Sequence, residues 1–197
     1  MKNKIAILGI SDVCVYAVTV TLYLIFKSDM LLTFWEVVTI LSSPIMLLIL
    51  LDIYKESNQA KPAFKSLTMV FMTGTIILTS VAHFVNITVT RKLIAEGVNI
   101  PTYFQIGYWP SVEMAIDYLA WGLFMGFAFL VTAFSLQPTG NTFRRLKFML
   151  LVCGSLCLFG FIGTMLINEN FWYFAPLGYG VGTIFVCMEM FKVKLTK

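Results

Sequence analysis

A chain of 197 residues that is 59% hydrophobic and only 12% charged, with a mean hydropathy of +0.86, lacks the polar material to clothe a water-facing globule, whose usual shares are about 45–50% apolar and about 25% charged. The surplus apolar surface calls for lipid, and the length fits one integral membrane domain over residues 1–197. The net charge of +4 does not mark a nucleic-acid binder, because the basic residues sit in short clusters between apolar runs, which is the pattern of membrane topology.

Six apolar runs are long enough to cross about 30 Å of hydrocarbon at about 1.5 Å per residue. The first covers residues 5–26. Lys2 and Lys4 precede it as in a secretory signal, but Asp12 interrupts the run and no small-residue cleavage site follows, so a retained helix is expected. The second covers 31–53 and contains Pro44 after Ser42 and Ser43, which predicts a kink. The third covers 67–90. Between it and the fourth, Arg91 to Gly97 predicts a short helix lying on the membrane, and Tyr108-Trp109-Pro110 a re-entry with Pro110 at the helix start. This loop reads as an interfacial connector rather than as a cap over a site. The fourth run covers 111–136, the fifth 148–167 and the sixth 171–191. The fold class is therefore all-α, a polytopic membrane helical bundle of about six transmembrane helices. Barrel strands would instead show alternation over about ten residues.

Lys and Arg set the orientation. Lys2, Lys4, Lys55, Lys61, Lys65, Arg144, Arg145, Lys147, Lys192, Lys194 and Lys197 fall on one side, and Lys27, Arg91 and Lys92 on the other. The rule that cytoplasmic loops are Lys/Arg-rich places both termini in the cytoplasm, in a plasma or cytoplasmic membrane. Trp35, Tyr103, Phe104, Tyr108, Trp109, Trp172 and Tyr173 collect at the opposite boundary, as an aromatic belt does. Cys14, Cys153, Cys157 and Cys187 lie inside apolar runs without metal or redox spacing and read as packing residues. Gly122/Gly126 and Gly178/Gly182 have the four-residue spacing that lets helix backbones approach, and offer faces for a homo-oligomer.

Ionisable groups within hydrocarbon are expensive, at roughly 2.5–3.5 kcal/mol each near a helix centre, and face the bundle interior or a wet cavity. The third run carries Thr75, Thr79, His83, Asn86 and Thr90 on one face. The fourth carries Glu113, Asp117 and Tyr118, and the second carries Glu36. The helical rise puts His83 about 10 Å, Asp117 about 9 Å and Glu36 about 7–8 Å below the outer ends of their helices. Glu36, His83, Asn86, Glu113, Asp117, Tyr118 and Trp121 are thus the candidate ligand-binding residues of one polar pocket in the outer half of the bilayer. His83, Asp117 and Glu113 are the candidate catalytic groups, with proton transfer as their natural chemistry, and Phe124 would add an apolar wall. Asp12, with Ser11 and Tyr16, forms a second polar point nearer the inner face, its link to the outer cluster open. Asp52 and Glu189 are expected to meet water, Lys55 or Lys192.

A single histidine excludes a multi-histidine zinc site and a di-iron carboxylate bundle. A metal held by His83, Glu36, Glu113 and Asp117 is the remaining metal arrangement, and no metal is expected. Ser80 and Ser155 lack a nucleophile-elbow sequence, no lysine lies within a run to carry a Schiff base, and Asn86-Ile87-Thr88 is a glycosylation sequon only on paper, inside a span. No phosphate loop or dinucleotide fingerprint implies a cofactor. Three readings stay open: a binding protein for a small or lipid-like ligand (carrier or sensor), a membrane-embedded enzyme doing isomerase-like acid/base chemistry on a lipid-like substrate, and a structural subunit whose buried His83–Asp117 pair fixes packing. Lipid and a small molecule are the expected partners.

Overall fold

The computed structural model describes residues 3–57, 61–137 and 140–195; Lys2 and Lys197, two of the charges used for topology, lie outside them. Among the described residues the chain is all-helical, with six helices long and apolar enough to cross a membrane: α1 (Lys4–Phe26), α2 (Asp29–Glu56), α3 (Pro62–Ala95), α4 (Val112–Ser135), α5 (Asn141–Leu166) and α6 (Glu169–Val193). Helices satisfy every backbone polar group within their own segment, which lipid requires.

The apolar runs locate the spans, but the helices extend beyond them. α3 begins five residues before its apolar run and α5 seven residues before its own, so Arg144, Arg145 and Lys147 ride on the first turns of α5. Hydropathy sees only the part of a helix immersed in hydrocarbon. The expected surface helix at Arg91 is instead the last turn of α3. It closes in a Schellman motif, with Gly97 N donating to Ile94 O at 3.0 Å and Val98 N to Leu93 O at 2.9 Å. Gly97 takes the left-handed φ of 80° that this cap requires. At the next helix Ser111, not Pro110, is the cap residue: its side chain accepts from Met114 N at 3.1 Å.

Successive helices pack side by side and α6 returns against α1, closing a six-helix ring. Ile49, Leu50, Met72, Met125, Phe129, Leu150 and Val186 fill its interior. Phe26, Val70, Phe84 and Leu166 point outward, Leu166 at 76% exposure, as a lipid-facing surface needs. The α1–α2, α3–α4 and α5–α6 connections lie at one end, called here the loop end. Towards the other end Tyr54, Thr68 and Thr132 tie α2, α3 and α4 together through hydroxyl contacts of 2.9 and 3.2 Å. Pro44 has no N–H to offer Ile40, and the Ser43 hydroxyl donates to that carbonyl at 3.0 Å, which restores the pairing proline removes.

Both glycine pairs are consumed within the chain. A Cβ on Gly122 would sit 2.6 Å from Phe161 and one on Gly126 3.0 Å from Leu158, both on α5. On α6 a Cβ on Gly178 would stand 2.6 Å from Cys153 O and 2.9 Å from Cys157 Sγ, and one on Gly182 2.5 Å from Cys153 Sγ, all on α5. The faces offered to a second copy are thus covered by α5, and the two cysteines pack there as small side chains.

Candidate functional site

A cavity of about 570 Å³ lies inside the ring at the loop end, walled by α1, α2, α3, α4, α6 and the α3–α4 loop. α5 contributes nothing to its wall. Helical periodicity builds each side. Asp12, Tyr16, Val20 and Tyr23 recur every three or four residues on α1; Leu32, Trp35, Thr39, Ser42 and Met46 do the same on α2. Met114, Asp117 and Trp121 come from α4, Trp172, Pro176, Tyr179 and Gly180 from α6, and His83 alone from α3.

Three of the helices widen into a π-turn: Asn86–Thr90 in α3, Leu119–Phe124 in α4 and Leu177–Val181 in α6. Two of these segments place cavity residues, Trp121 and the Tyr179–Gly180 pair. The third follows His83 by three residues and ends with the Arg91 N–H bonded to Asn86 O. Such single wide turns shift side-chain register and recur at functional sites. Here the shift lets both Asn86 and Arg91 reach Glu36.

Four of the seven candidate binding residues line the cavity: Glu36, His83, Asp117 and Trp121. The other three stand behind it. Asn86 Nδ2 donates to Glu36 Oε1. Glu113, 5% exposed, accepts from the Thr90 hydroxyl at 2.8 Å and so joins α4 to α3. Tyr118 stacks between Trp109 and Trp172, with ring centroids 5.0 and 3.7 Å apart. Phe124 packs near Phe71 at 6.2 Å, away from the wall.

Glu36 is 1% exposed and is held from two sides. Besides Asn86, its Oε2 lies 3.5 Å from Arg91 Nη1. The same guanidinium donates to the Thr33 hydroxyl at 2.6 Å and to the Asp29 carbonyl at 2.8 Å. Arg91, read from the sequence as a topology charge, therefore clamps the end of α3 to the start of α2. The signal for it was present: an arginine one residue after the polar stripe Thr79–His83–Asn86–Thr90.

His83 Nε2 stands 3.4 Å from Asp117 Oδ1. Neither imidazole nitrogen has a hydrogen-bond partner, nor does Asp117 Oδ1, so the contact is an ion-pair approach without an aligned hydrogen bond. The indole N–H groups of Trp35 and Trp121 and Glu113 Oε2 are also buried without partners. Polar groups left so in a bundle interior cost free energy unless something meets them. Asp12 answers the open question of its connection: it accepts from the Ser42 hydroxyl at 3.0 Å and lines the same cavity as Glu36 and Asp117.

The loop reaches over this space. Ile106 and Gly107 form part of the cavity wall, and Trp109, before the cis peptide to Pro110, stacks on Tyr118. The loop expected as a plain connector thus also lines the cavity, and so do Trp35 and Trp172 of the expected aromatic belt. Among the described residues no three His, Cys, Asp or Glu side chains converge as metal ligands, and Glu113 of the weighed metal set is turned to Thr90. At the opposite end Glu189 meets Lys192 at 2.5 Å. Comparison with protein-family models, curated proteins and solved structures finds no match.

Proposed function

We propose that this is a multi-pass membrane protein that binds a small or lipid-like ligand in the cavity, as a carrier or sensor, with both termini in the cytoplasm and the cavity entering a plasma or cytoplasmic membrane from its outer side and reaching past the midplane at Asp12. The orientation rests on the eleven-to-three division of Lys and Arg between the two sides. The observation that carries the binding reading is a cavity of about 570 Å³ whose polar wall is left unsatisfied at His83, Asp117, Trp35 and Trp121. A structural pair needs two partners that complete each other, and His83 and Asp117 do not. The volume falls in the range of about 300–1,000 Å³ usual for small-molecule sites, and the mix of apolar walls with few polar groups is theirs as well.

The test is native mass spectrometry of the purified protein beside Asp117→Asn, a change that keeps the side chain's size. A discrete adduct on the wild type, weakened at least tenfold in a folded Asp117→Asn, is the expected result. A bare wild type together with an unfolded variant would sink the reading and leave a structural His83–Asp117 pair. The same unaligned pair supports a second reading, acid/base chemistry with His83 as the proton carrier. Turnover of the identified adduct by wild type, abolished in His83→Ala, separates enzyme from binder.

A further inference from the structure

The cavity wall is charged in one sense. It holds Asp12, Glu36 and Asp117, a single histidine, and neither Lys nor Arg. Two of the carboxylates are already faced by a basic side chain: Glu36 by Arg91 at 3.5 Å and Asp117 by His83 at 3.4 Å. Asp12 is different. Among the described residues no Lys, Arg or His lies within ion-pair distance of it, and its partner is the Ser42 hydroxyl. That hydroxyl has one hydrogen to give and also lies 2.9 Å from Val38 O, so its support of Asp12 is shared.

Asp12 stands at the deep end. By helical rise it is about 21 Å from the loop end of α1, whereas Tyr16, Trp121 and Tyr179 lie at about 14–15 Å on their own helices. These three rings therefore form a level between Asp12 and the mouth. Tyr179 lies 4.7 Å from Trp121, and Tyr16 meets Trp35 edge-on at 6.4 Å. Trp121 is 3% exposed, and its indole N–H has no partner. Aromatic faces above a carboxylate attract an organic cation through the ring quadrupole and the charge together. The rest of the wall, with Val20, Leu24 and Leu32 towards the mouth, suits an apolar body. A hydrated metal ion fits poorly, since hard cations need several convergent oxygens to replace their water.

We propose, resting on the binding reading above, that the ligand is a monovalent organic cation with an apolar body, its ammonium group serving as the counter-ion of Asp12 beneath the rings of Tyr16, Trp121 and Tyr179. The experiment titrates the full chain in detergent with 4-phenylbutylamine and with its neutral analogue 4-phenylbutanol, reading the intrinsic fluorescence of its four tryptophans, of which Trp35, Trp121 and Trp172 line the cavity. The amine binds at least tenfold more tightly than the alcohol to the wild type, and Asp12→Asn removes that preference. Equal binding of amine and alcohol by the wild type overturns the cationic ligand and leaves the binding reading standing. Binding of neither, together with a mass spectrum free of adduct, removes both. If Asp12→Asn does not fold, the amine-to-alcohol ratio on the wild type decides alone.

Discussion

Arg91→Ala is expected to lower stability by about 3–5 kcal/mol, the range for breaking a buried ion pair by removing one partner. The loss comes from what is left behind. Glu36 is 1% exposed, and without the guanidinium its carboxylate keeps only the Asn86 amide. The same change removes the donors to Thr33 and to the Asp29 carbonyl, so α3 also loses its hold on the start of α2. Two further variants separate charge from packing. Adding Glu36→Gln to Arg91→Ala removes the orphaned charge while keeping an acceptor for Asn86, and recovers most of the loss. Lys92→Ala, one residue on and exposed, changes little. Denaturant-induced unfolding in bicelles measures all three. Equal stability of the Arg91 and Lys92 variants would show that the clamp does not hold the fold.

The second large effect lies on α6, where two glycines two residues apart respond with opposite sign. Gly178 touches α5 so closely that an added Cβ would stand 2.6 Å from the Cys153 carbonyl oxygen and 2.9 Å from Cys157 Sγ. The first of these is backbone and gives way only if the helices part. Gly178→Leu is therefore expected to destabilise by about 3 kcal/mol, at the upper end for overpacking. That exceeds the gain of up to about 1 kcal/mol from replacing glycine in a helix. Gly180 lines the cavity and has nothing within 4 Å of its Cβ position. Gly180→Ala keeps the propensity gain without the clash and is expected to raise stability by up to about 1 kcal/mol. Thermal unfolding of the two variants beside wild type checks the pair. A Gly178→Leu protein that melts with the wild type would mean that α5 and α6 are not packed on this face.

The contrast between Gly178 and Gly180 also marks where the sequence stops being informative. Their spacing announces close packing, but which helix a glycine meets is a tertiary fact, and α5 occupies faces that the sequence equally offers to a second copy. The six spans were legible because hydrocarbon demands long apolar runs, and the stripe Thr75–Thr79–His83–Asn86–Thr90 was legible because helical spacing puts it on one face. All five of its residues are buried. The proximity of His83 to Asp117 followed from matching depths. Depth along a helix says nothing of rotation, however. Asn86, Glu113 and Tyr118 share the layer yet turn away from the cavity, while Asp12, Tyr16 and Tyr179 enter it from deeper positions. Arg91 was hidden by its place at a helix end, where a basic residue ordinarily reports topology. The π-turns change the register locally and leave no composition signature beyond the glycines in two of them.

Ligand occupancy of the cavity is tested most directly by the native mass spectrum of wild type beside Gly180→Phe, a variant that projects a ring into open space at the cavity wall. The expected result is one discrete adduct per chain on the wild type, absent from a Gly180→Phe protein that melts no lower. An adduct of the same mass and occupancy on both proteins would place the ligand elsewhere and contradict the assignment of this cavity as the binding site.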